Sequence, residues 1–141
     1  MLKKVSEKLG VKEGMRSLFV NADADAINAM QHPNLDVKIK LVGDFDYIHF
    51  FVVTSKEFHK TFPKLAQHIK ENGSIWVSWP KSGQNGTDLN LITVIKLGYD
   101  YGMVESKSIS INDVWSALKF TKPKKGKIYN NSYGKLKDAD R

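Results

Sequence analysis

The most constraining feature of the sequence is the nearly continuous apolar run at residues 47–53, Tyr-Ile-His-Phe-Phe-Val-Val. A strand without polar alternation is typical of the centre of a parallel sheet, where helices cover both faces. A second aromatic-rich run, Ile-Trp-Val-Ser-Trp at residues 75–79, predicts another buried strand. Together the two runs favour an α/β domain in which one sheet lies between two helical layers.

Shorter periodic segments complete the predicted fold. Capping signals and helical spacing predict helices at residues 3–9, 23–31, 54–72 (ended by Gly73) and from Thr87 or Asp88 to 99. Alternating or apolar segments predict further strands at residues 17–20, 37–41, 103–111 and 114–121. This order predicts a Rossmann-like, three-layer α/β domain with a mostly parallel sheet and a C-terminal antiparallel hairpin.

Charge divides the chain of 141 residues into two unequal parts. Residues 122–141 hold seven basic and two acidic side chains, whereas residues 1–121 carry only +2 of the total net charge of +7. We therefore expect a domain at residues 1–121 and a basic tail at residues 122–141. No cysteine is present, which excludes disulfides and thiolate metal sites.

Compartment and membrane contact are predicted from missing signals. No apolar run approaches the roughly 20 residues that span a bilayer, and the first residues contain no signal-peptide core. The expectation is a cytoplasmic protein that does not contact a membrane.

Three segments resemble a shortened S-adenosylmethionine-dependent methyltransferase. They are Val-Lys-Glu-Gly-Met-Arg-Ser-Leu-Phe-Val at residues 11–20, Phe-Asp-Tyr-Ile-His-Phe at residues 45–50, and Ile-Lys-Glu-Asn-Gly-Ser-Ile-Trp-Val at residues 69–77. They resemble the approach to that fold's first strand, its fourth strand, and its fifth strand with the helix end before it. The resemblance implies that one β-α unit is missing before Phe45.

A closer resemblance is to a small bacterial family of unknown function with the same truncated architecture. It rests on short motifs: Leu9-Gly10, Gly14-Met15-Arg16, Phe45-Asp46, Trp79-Pro80-Lys81, Thr87-Asp88-Leu89, and Trp-Ser-Ala-Leu-Lys-Phe at residues 115–120. This resemblance implies the fold and transfers no established activity.

The chain departs from methyltransferases at both halves of the adenosyl site. Their first strand ends in a glycine-rich turn, but residues 21–25 here read Asn-Ala-Asp-Ala-Asp, and each alanine adds a Cβ where close approach is needed. Their second strand ends in an acid, but here Asp44 comes one step late. We expect no cofactor and a non-enzymatic binding or interaction module. The alternatives are a methyltransferase, or another small-molecule enzyme that uses a crevice near Lys81.

Candidate ligand-binding residues follow the strand at residues 75–79 or lie in the final hairpin. Lys81 follows the strand directly and is suited to hold an anion or carboxylate, with Asp88 to orient it. Thr87 and Asp88 are also good N-caps for the next helix. Asp113 completes the set as a crevice carboxylate. Trp79 is added as a candidate aromatic wall, although its strand position favours packing in the core. The partner is expected to be a protein or a small anionic ligand.

The remaining polar groups suggest capping, core packing or the tail. Asp23 and Asp25 are expected to serve the start of a helix rather than acid–base catalysis, and His49 is expected to be a hydrogen-bonded core histidine. The four histidines show no metal-binding spacing. The tail interleaves cations with aromatic groups, a mixture that can bind single-stranded nucleic acid. The alternative is that Ile128 and the tyrosines dock the tail on the domain or on a partner subunit. The tail candidates are Lys122, Lys124, Lys125, Lys127 and Tyr129.

Overall fold

The computed structural model of the chain describes residues 4–129, 133 and 136. Four α-helices are present in this part: α1 (Val5–Leu9), α2 (Ala24–Met30), α3 (Ser55–Ala66) and α4 (Leu91–Asp100). Six strands accompany them: β1 (Arg16–Val20), β2 (Asp36–Lys38), β3 (Phe45–Phe51), β4 (Ile69–Pro80), β5 (Val104–Ser110) and β6 (Trp115–Thr121). A 3-10 turn, Lys81–Gly86, follows β4. The predicted helix start at position 3 and half of the predicted tail lie outside the described residues.

The strands form one mixed sheet in the order β2-β1-β3-β4-β6-β5. The first four are parallel neighbours, and β6 pairs antiparallel with both β4 and β5. The predicted parallel sheet with a C-terminal antiparallel hairpin is therefore confirmed. The hairpin folds back so that β6, its second strand, lies between β4 and β5.

Helices cover both faces of the sheet, as the apolar run at residues 47–53 predicts. α1 and α2 bury Leu9, Ala26 and Met30 against one face, together with Tyr47 and Trp76. α3 and α4 pack on the other face, where the buried side chains include Phe50, Phe58, Phe62, Val94 and Phe120. From Tyr47 to Phe51 the apolar residues of β3 alternate between the two clusters, so β3 packs against helices on both faces. The three-layer α/β prediction is confirmed.

Gly73 does not end a helix, so that prediction is wrong. α3 ends at Ala66, and β4 already pairs with Phe45 through Ile69. Gly73 lies within β4 where the register of the β3–β4 pair shifts. A Cβ at this position would come within 2.8 Å of the Phe45 carbonyl oxygen. Glycine is therefore required here by close packing of two strands.

Residues 39–44 take the place of the missing β-α unit by crossing directly from β2 to β3. Arg16 holds this crossover, since its guanidinium donates to the carbonyls of Asp44 (2.9 Å) and Val42 (2.6 Å). The same group lies 4.2 Å from the ring centroid of Phe45. The predicted half-exposed strand at residues 37–41 is correspondingly shorter and wholly exposed as β2, because the chain turns away after Lys38.

Candidate functional site

The direction of chain progression reverses at β1, which has β2 on one side and β3 on the other. In open parallel sheets this switch point leaves a crevice outside the carboxyl ends of the strands, where ligands bind. Here the crevice lies between the residues that follow β1, beginning with Asn21, and those that follow β3, residues 52–55. We call it the switch crevice.

Asn21 crosses the switch crevice. Its backbone has a φ of 57°, in the left-handed region that asparagine tolerates better than most residues. Its side-chain amide donates to the carbonyl of Phe51 at 3.3 Å. Two residues on, Asp23 caps α2 by accepting from the Ala26 N–H at 3.0 Å, as predicted. The loop after β1 is thus tied to β3 by its own side chain.

Thr87 and Asp88 also serve the end of β3, but they do not cap the next helix as predicted. The Thr87 hydroxyl donates to the Val53 carbonyl and accepts from the Leu89 N–H. Asp88 accepts from the Ser55 N–H at 2.8 Å and from the Ser55 hydroxyl at 2.6 Å. These bonds from the side chain and backbone of Ser55 lower the pKa of the Asp88 carboxyl. Asp88 therefore stabilises the start of α3.

The helix α4 begins at Leu91, three or four residues later than predicted. Its N-cap is Asn90, whose side-chain oxygen accepts from the Thr93 N–H at 2.9 Å. The segment before it stays extended because Thr87 and Asp88 are held by residues around the start of α3. Thr87 and Asp88 are suitable N-cap residues, but their side chains bond to residues near α3 and so do not cap α4.

Lys81 lies against the β5–β6 hairpin and not beside Asp88. Its ammonium donates to the Ser110 hydroxyl, and its backbone N–H donates to the Val114 carbonyl at 2.7 Å. Asp113 contributes only its carbonyl, which accepts from Gln84 at 3.2 Å. Among the described residues, the ion pairs within 4.0 Å do not include Lys81 or Asp88.

The five predicted ligand-binding residues therefore do not form one site. Thr87 and Asp88 hold the end of β3 and the start of α3, whereas Lys81 and Asp113 belong to the hairpin side. Trp79 is only 4% exposed and packs in the core under α3 and α4. The core packing that its strand position favours is confirmed, and the role of an aromatic wall is not.

The described part of the tail folds back on itself and on the domain. The backbone N–H of Lys124 donates to the Tyr129 hydroxyl at 2.7 Å, and the Lys127 ammonium lies 5.2 Å from the Tyr129 ring centroid. Tyr129 packs against the core under α3 and α4. Lys122 lies 4.0 Å from Glu71. Lys124, Lys125 and Lys127 remain exposed.

A groove of about 540 Å³ opens away from the switch crevice, between the carboxyl ends of α3 and α4. Tyr101, Met103 and Lys122 are among its lining residues. The open concavity and the topological switch point are therefore different places.

Sequence reasoning missed a chain of buried polar side chains under α2. His32 lies 2.9 Å from the Tyr47 hydroxyl, which lies 2.6 Å from His49 Nδ1. The other ring nitrogen of His49 lies 2.6 Å from the Ser78 hydroxyl. Tyr47, His49 and Ser78 are fully buried, which confirms the prediction of a hydrogen-bonded core histidine at 49. The signal in the sequence is the two-residue spacing of Tyr47 and His49 in one strand, which places both on one face.

Burial sets the protonation states of this chain. It lowers the pKa of His49 far below the ordinary value, and the nearby His32 lowers it further. Burial also lowers the pKa of His32 and raises that of the Tyr47 phenol. The side chains of His32, Tyr47 and His49 are therefore uncharged at pH 7, which suits their position in the core.

Solved structures similar to this chain indicate its fold. No family model matches the chain, and no curated protein matches its sequence. Solved structures do match. Precorrin-6y C5,15-methyltransferase from Geobacter metallireducens is 8% identical with a TM-score of 0.56, over 84% of this chain and 86% of that one. A methyltransferase from Pyrococcus furiosus is 14% identical with a TM-score of 0.56, over 82% and 79%.

A third match is the TehB-like SAM-dependent methyltransferase from Corynebacterium glutamicum, 8% identical with a TM-score of 0.56 over 87% of this chain and 89% of that one. The chain has a methyltransferase-like Rossmann fold. The resemblance inferred from the sequence is confirmed at this level. Among the described residues, each helix is too short or too polar to cross a bilayer.

The switch crevice does not fit the S-adenosyl group that this fold implies. Close approach of a ligand to the backbone after β1 needs glycine, whereas Asn21 fills that position and bonds to Phe51. β2 ends at Lys38, a cation. The acid that the sequence offers, Asp44, directly precedes β3, at the amino end of that strand.

Proposed function

We propose that this chain is a non-enzymatic binding or interaction module on a methyltransferase-like scaffold. The observation that carries the proposal is the side chain of Asn21 bonded to the Phe51 carbonyl across the switch crevice. A ligand that entered there would have to break this bond.

An enzyme that uses Lys81 with Asp88 has less support. The lysine contacts the β5–β6 hairpin, while the carboxylate receives two hydrogen bonds from Ser55. Acid–base or anion-holding partnership needs the two groups within hydrogen-bond reach of one ligand atom. Each is instead engaged in holding a different pair of elements together.

Calorimetric titration with S-adenosylmethionine and S-adenosylhomocysteine tests the proposal. We expect no heat of binding at millimolar ligand. Binding at micromolar affinity, about −8 kcal/mol, would contradict it.

Two matched variants sharpen the titration. Asn21→Gly removes the side chain that crosses the crevice, and Asn85→Gly makes the same change in the 3-10 turn, where φ is also 57°. We expect neither variant to bind, because β2 ends at Lys38 and the next acid, Asp44, lies at the amino end of β3. Binding by Asn21→Gly alone would mean that one side chain closes an otherwise competent cofactor site.

We propose nucleic-acid binding through the tail as a second candidate. It is favoured by the exposure of Lys124, Lys125 and Lys127 beside an aromatic ring, Tyr129. Phosphate contacts of this kind give affinity that falls steeply with salt. The test is titration of single-stranded RNA at two salt concentrations.

The comparison uses two triple variants of the full chain. Replacement of Lys124, Lys125 and Lys127 by glutamate is expected to abolish binding. Replacement of the exposed Lys56, Lys60 and Lys64 of α3 by glutamate makes the same charge change elsewhere. This variant is expected to keep most of the affinity for single-stranded RNA. Equal losses in both variants would rule out a site on the tail.

A further inference from the structure

The strand β2 forms one edge of the sheet and has β1 as its neighbour on the inner side. All of its residues are exposed, including Val37 at 51%. Two of the other exposed large apolar side chains, Ile39 at 91% and Val42 at 62%, lie in the segment that follows it. An exposed apolar strand edge is a template for pairing with another chain.

Backbone geometry fixes which groups β2 presents to the outside. The N–H of Asp36 donates to the Met15 carbonyl of the inner neighbour at 3.0 Å. Alternate residues of a strand direct their N–H and C=O to opposite sides. The N–H and C=O of Val37 therefore point outward, away from β1, while those of Asp36 and Lys38 point inward.

We propose that β2 pairs antiparallel with β2 of a second copy of this chain, about a two-fold axis at Val37. A two-fold axis there makes Val37 of the two copies a hydrogen-bonded pair, in which each residue gives one N–H and one C=O. This is an isologous contact, in which both copies use the same surface. It joins the two sheets into one.

Charge selects this register over its neighbours. With Val37 opposite Val37, Asp36 of each copy lies opposite Lys38 of the other. Sliding the register by two residues in one direction places Asp36 opposite Asp36, and in the other direction Lys38 opposite Lys38. Opposite charges across strands stabilise a pair and like charges destabilise it. Within one chain the same two side chains already form an exposed ion pair of 3.1 Å.

Apolar side chains complete the contact. In this register Leu35, which packs against the core under α1 and α2, lies opposite Ile39 of the second copy. The contact is small beside the roughly 1,000 Å² typical of stable interfaces. The dimer is therefore weak and depends on concentration. The opposing interpretation is that Lys38 and Lys40 keep the edge from pairing.

Sedimentation equilibrium of the full chain over a wide concentration range tests the proposal. We expect a reversible monomer–dimer equilibrium. The single variants Asp36→Lys and Lys38→Asp each place like charges opposite one another and are expected to weaken dimerisation about tenfold or more. Mixed in equal amounts, the two variants are expected to form a heterodimer that neither forms alone.

Two further variants separate this edge from other surfaces. Val37→Pro removes the outward N–H without touching a bond to β1 and is expected to abolish the dimer; proline is tolerated on an outer edge. Asp113→Lys and Lys64→Asp, at exposed sites on other elements, are expected to leave it unchanged. A chain that stays monomeric at millimolar concentration, or a dimer that the β2 variants do not weaken, would overturn the proposal.

The proposal is independent of the proposed function. Cofactor titration tests the switch crevice, while sedimentation tests the sheet edge formed by β2. Each proposal can therefore be contradicted without affecting the other.

Discussion

Under α3 and α4 the core is apolar, with Phe58 and Phe62 stacked at 4.5 Å, whereas under α1 and α2 a chain of polar groups runs through the other core cluster. Among the described residues, every buried side-chain polar atom has a hydrogen-bond partner. The two clusters differ in which changes are expected to destabilise them. The apolar face depends on packing volume, and the polar face depends on hydrogen-bond partners and on pH.

The largest effect is expected on the apolar face. Phe62→Ala should lower the free energy of unfolding by about 3–5 kcal/mol, because it leaves a cavity beside Phe58 and Phe120. Ile92→Ala, at a side chain that is 43% exposed, is the control and should change it by less than about 1 kcal/mol. Urea denaturation at neutral pH measures both. Equal losses would mean that this face is not tightly packed.

The polar face is expected to respond to loss of a single oxygen. Tyr47→Phe keeps the ring but leaves His49 Nδ1 buried without its partner, which should cost about 1–3 kcal/mol. Tyr101→Phe removes the same kind of bond, 2.6 Å to the exposed His59, and should cost less than about 1 kcal/mol because water replaces the hydroxyl. If the two variants lose the same stability, the buried chain is not needed for the core.

Acid should destabilise the protein through the polar face. The folded-state pKa values of His49 and His32 lie below their unfolded values. Their contribution is therefore complete above about pH 6.5, and it is lost as the pH falls because only the unfolded chain takes up the protons. Each histidine adds a slope of up to about 1.4 kcal/mol per pH unit.

Two variants check the origin of this slope. His32→Gln keeps a hydrogen-bonding group near Tyr47 and should reduce the slope between about pH 6.5 and 5. His59→Gln, at the exposed histidine on the other side of the sheet, should leave it as in the parent chain. If the stability of the parent protein does not change with pH in this range, or if both variants change the slope equally, the buried histidines are not held in their neutral form.

The smallest effect is expected at the junction of β3 and α3. Asp88→Ala removes two hydrogen bonds to Ser55 and should cost about 0.5–1 kcal/mol, since the carboxylate is exposed and water competes. The lowered pKa of Asp88 means that its contribution is present at neutral pH and is lost as the pH falls through that pKa. Asp113→Ala should leave the free energy of unfolding unchanged, because the hydrogen bond from Gln84 is to the backbone carbonyl of Asp113. A larger loss of stability in Asp113→Ala than in Asp88→Ala would contradict this assignment.

Local signals sufficed for the fold. The apolar run at residues 47–53 predicted β3, which begins two residues earlier and ends at Phe51. The run at residues 75–79 lies in the second half of β4. Asp23 caps α2 as its position predicts. These features depend on residues close in sequence, where hydrophobic period and capping chemistry decide the outcome.

The candidate site could not be assembled from the same signals. Lys81 and Asp88 are seven positions apart, yet they are held by Ser110 and by Ser55, partners that lie 29 and 33 positions away. His32 joins Tyr47 across 15 positions for the same reason. Such contacts are set by how elements pack, which neither periodicity nor motif spacing encodes.

We propose that no adenosyl cofactor enters between β1 and β3. This proposal is tested by the two-dimensional NMR spectrum of the isotope-labelled chain, recorded with and without millimolar S-adenosylhomocysteine. The side-chain amide of Asn21 reports on its bond to Phe51. We expect this resonance and the backbone amide resonances of residues 52–55 not to move. Saturable shifts confined to these resonances would contradict the proposal and identify the switch crevice as a working cofactor site.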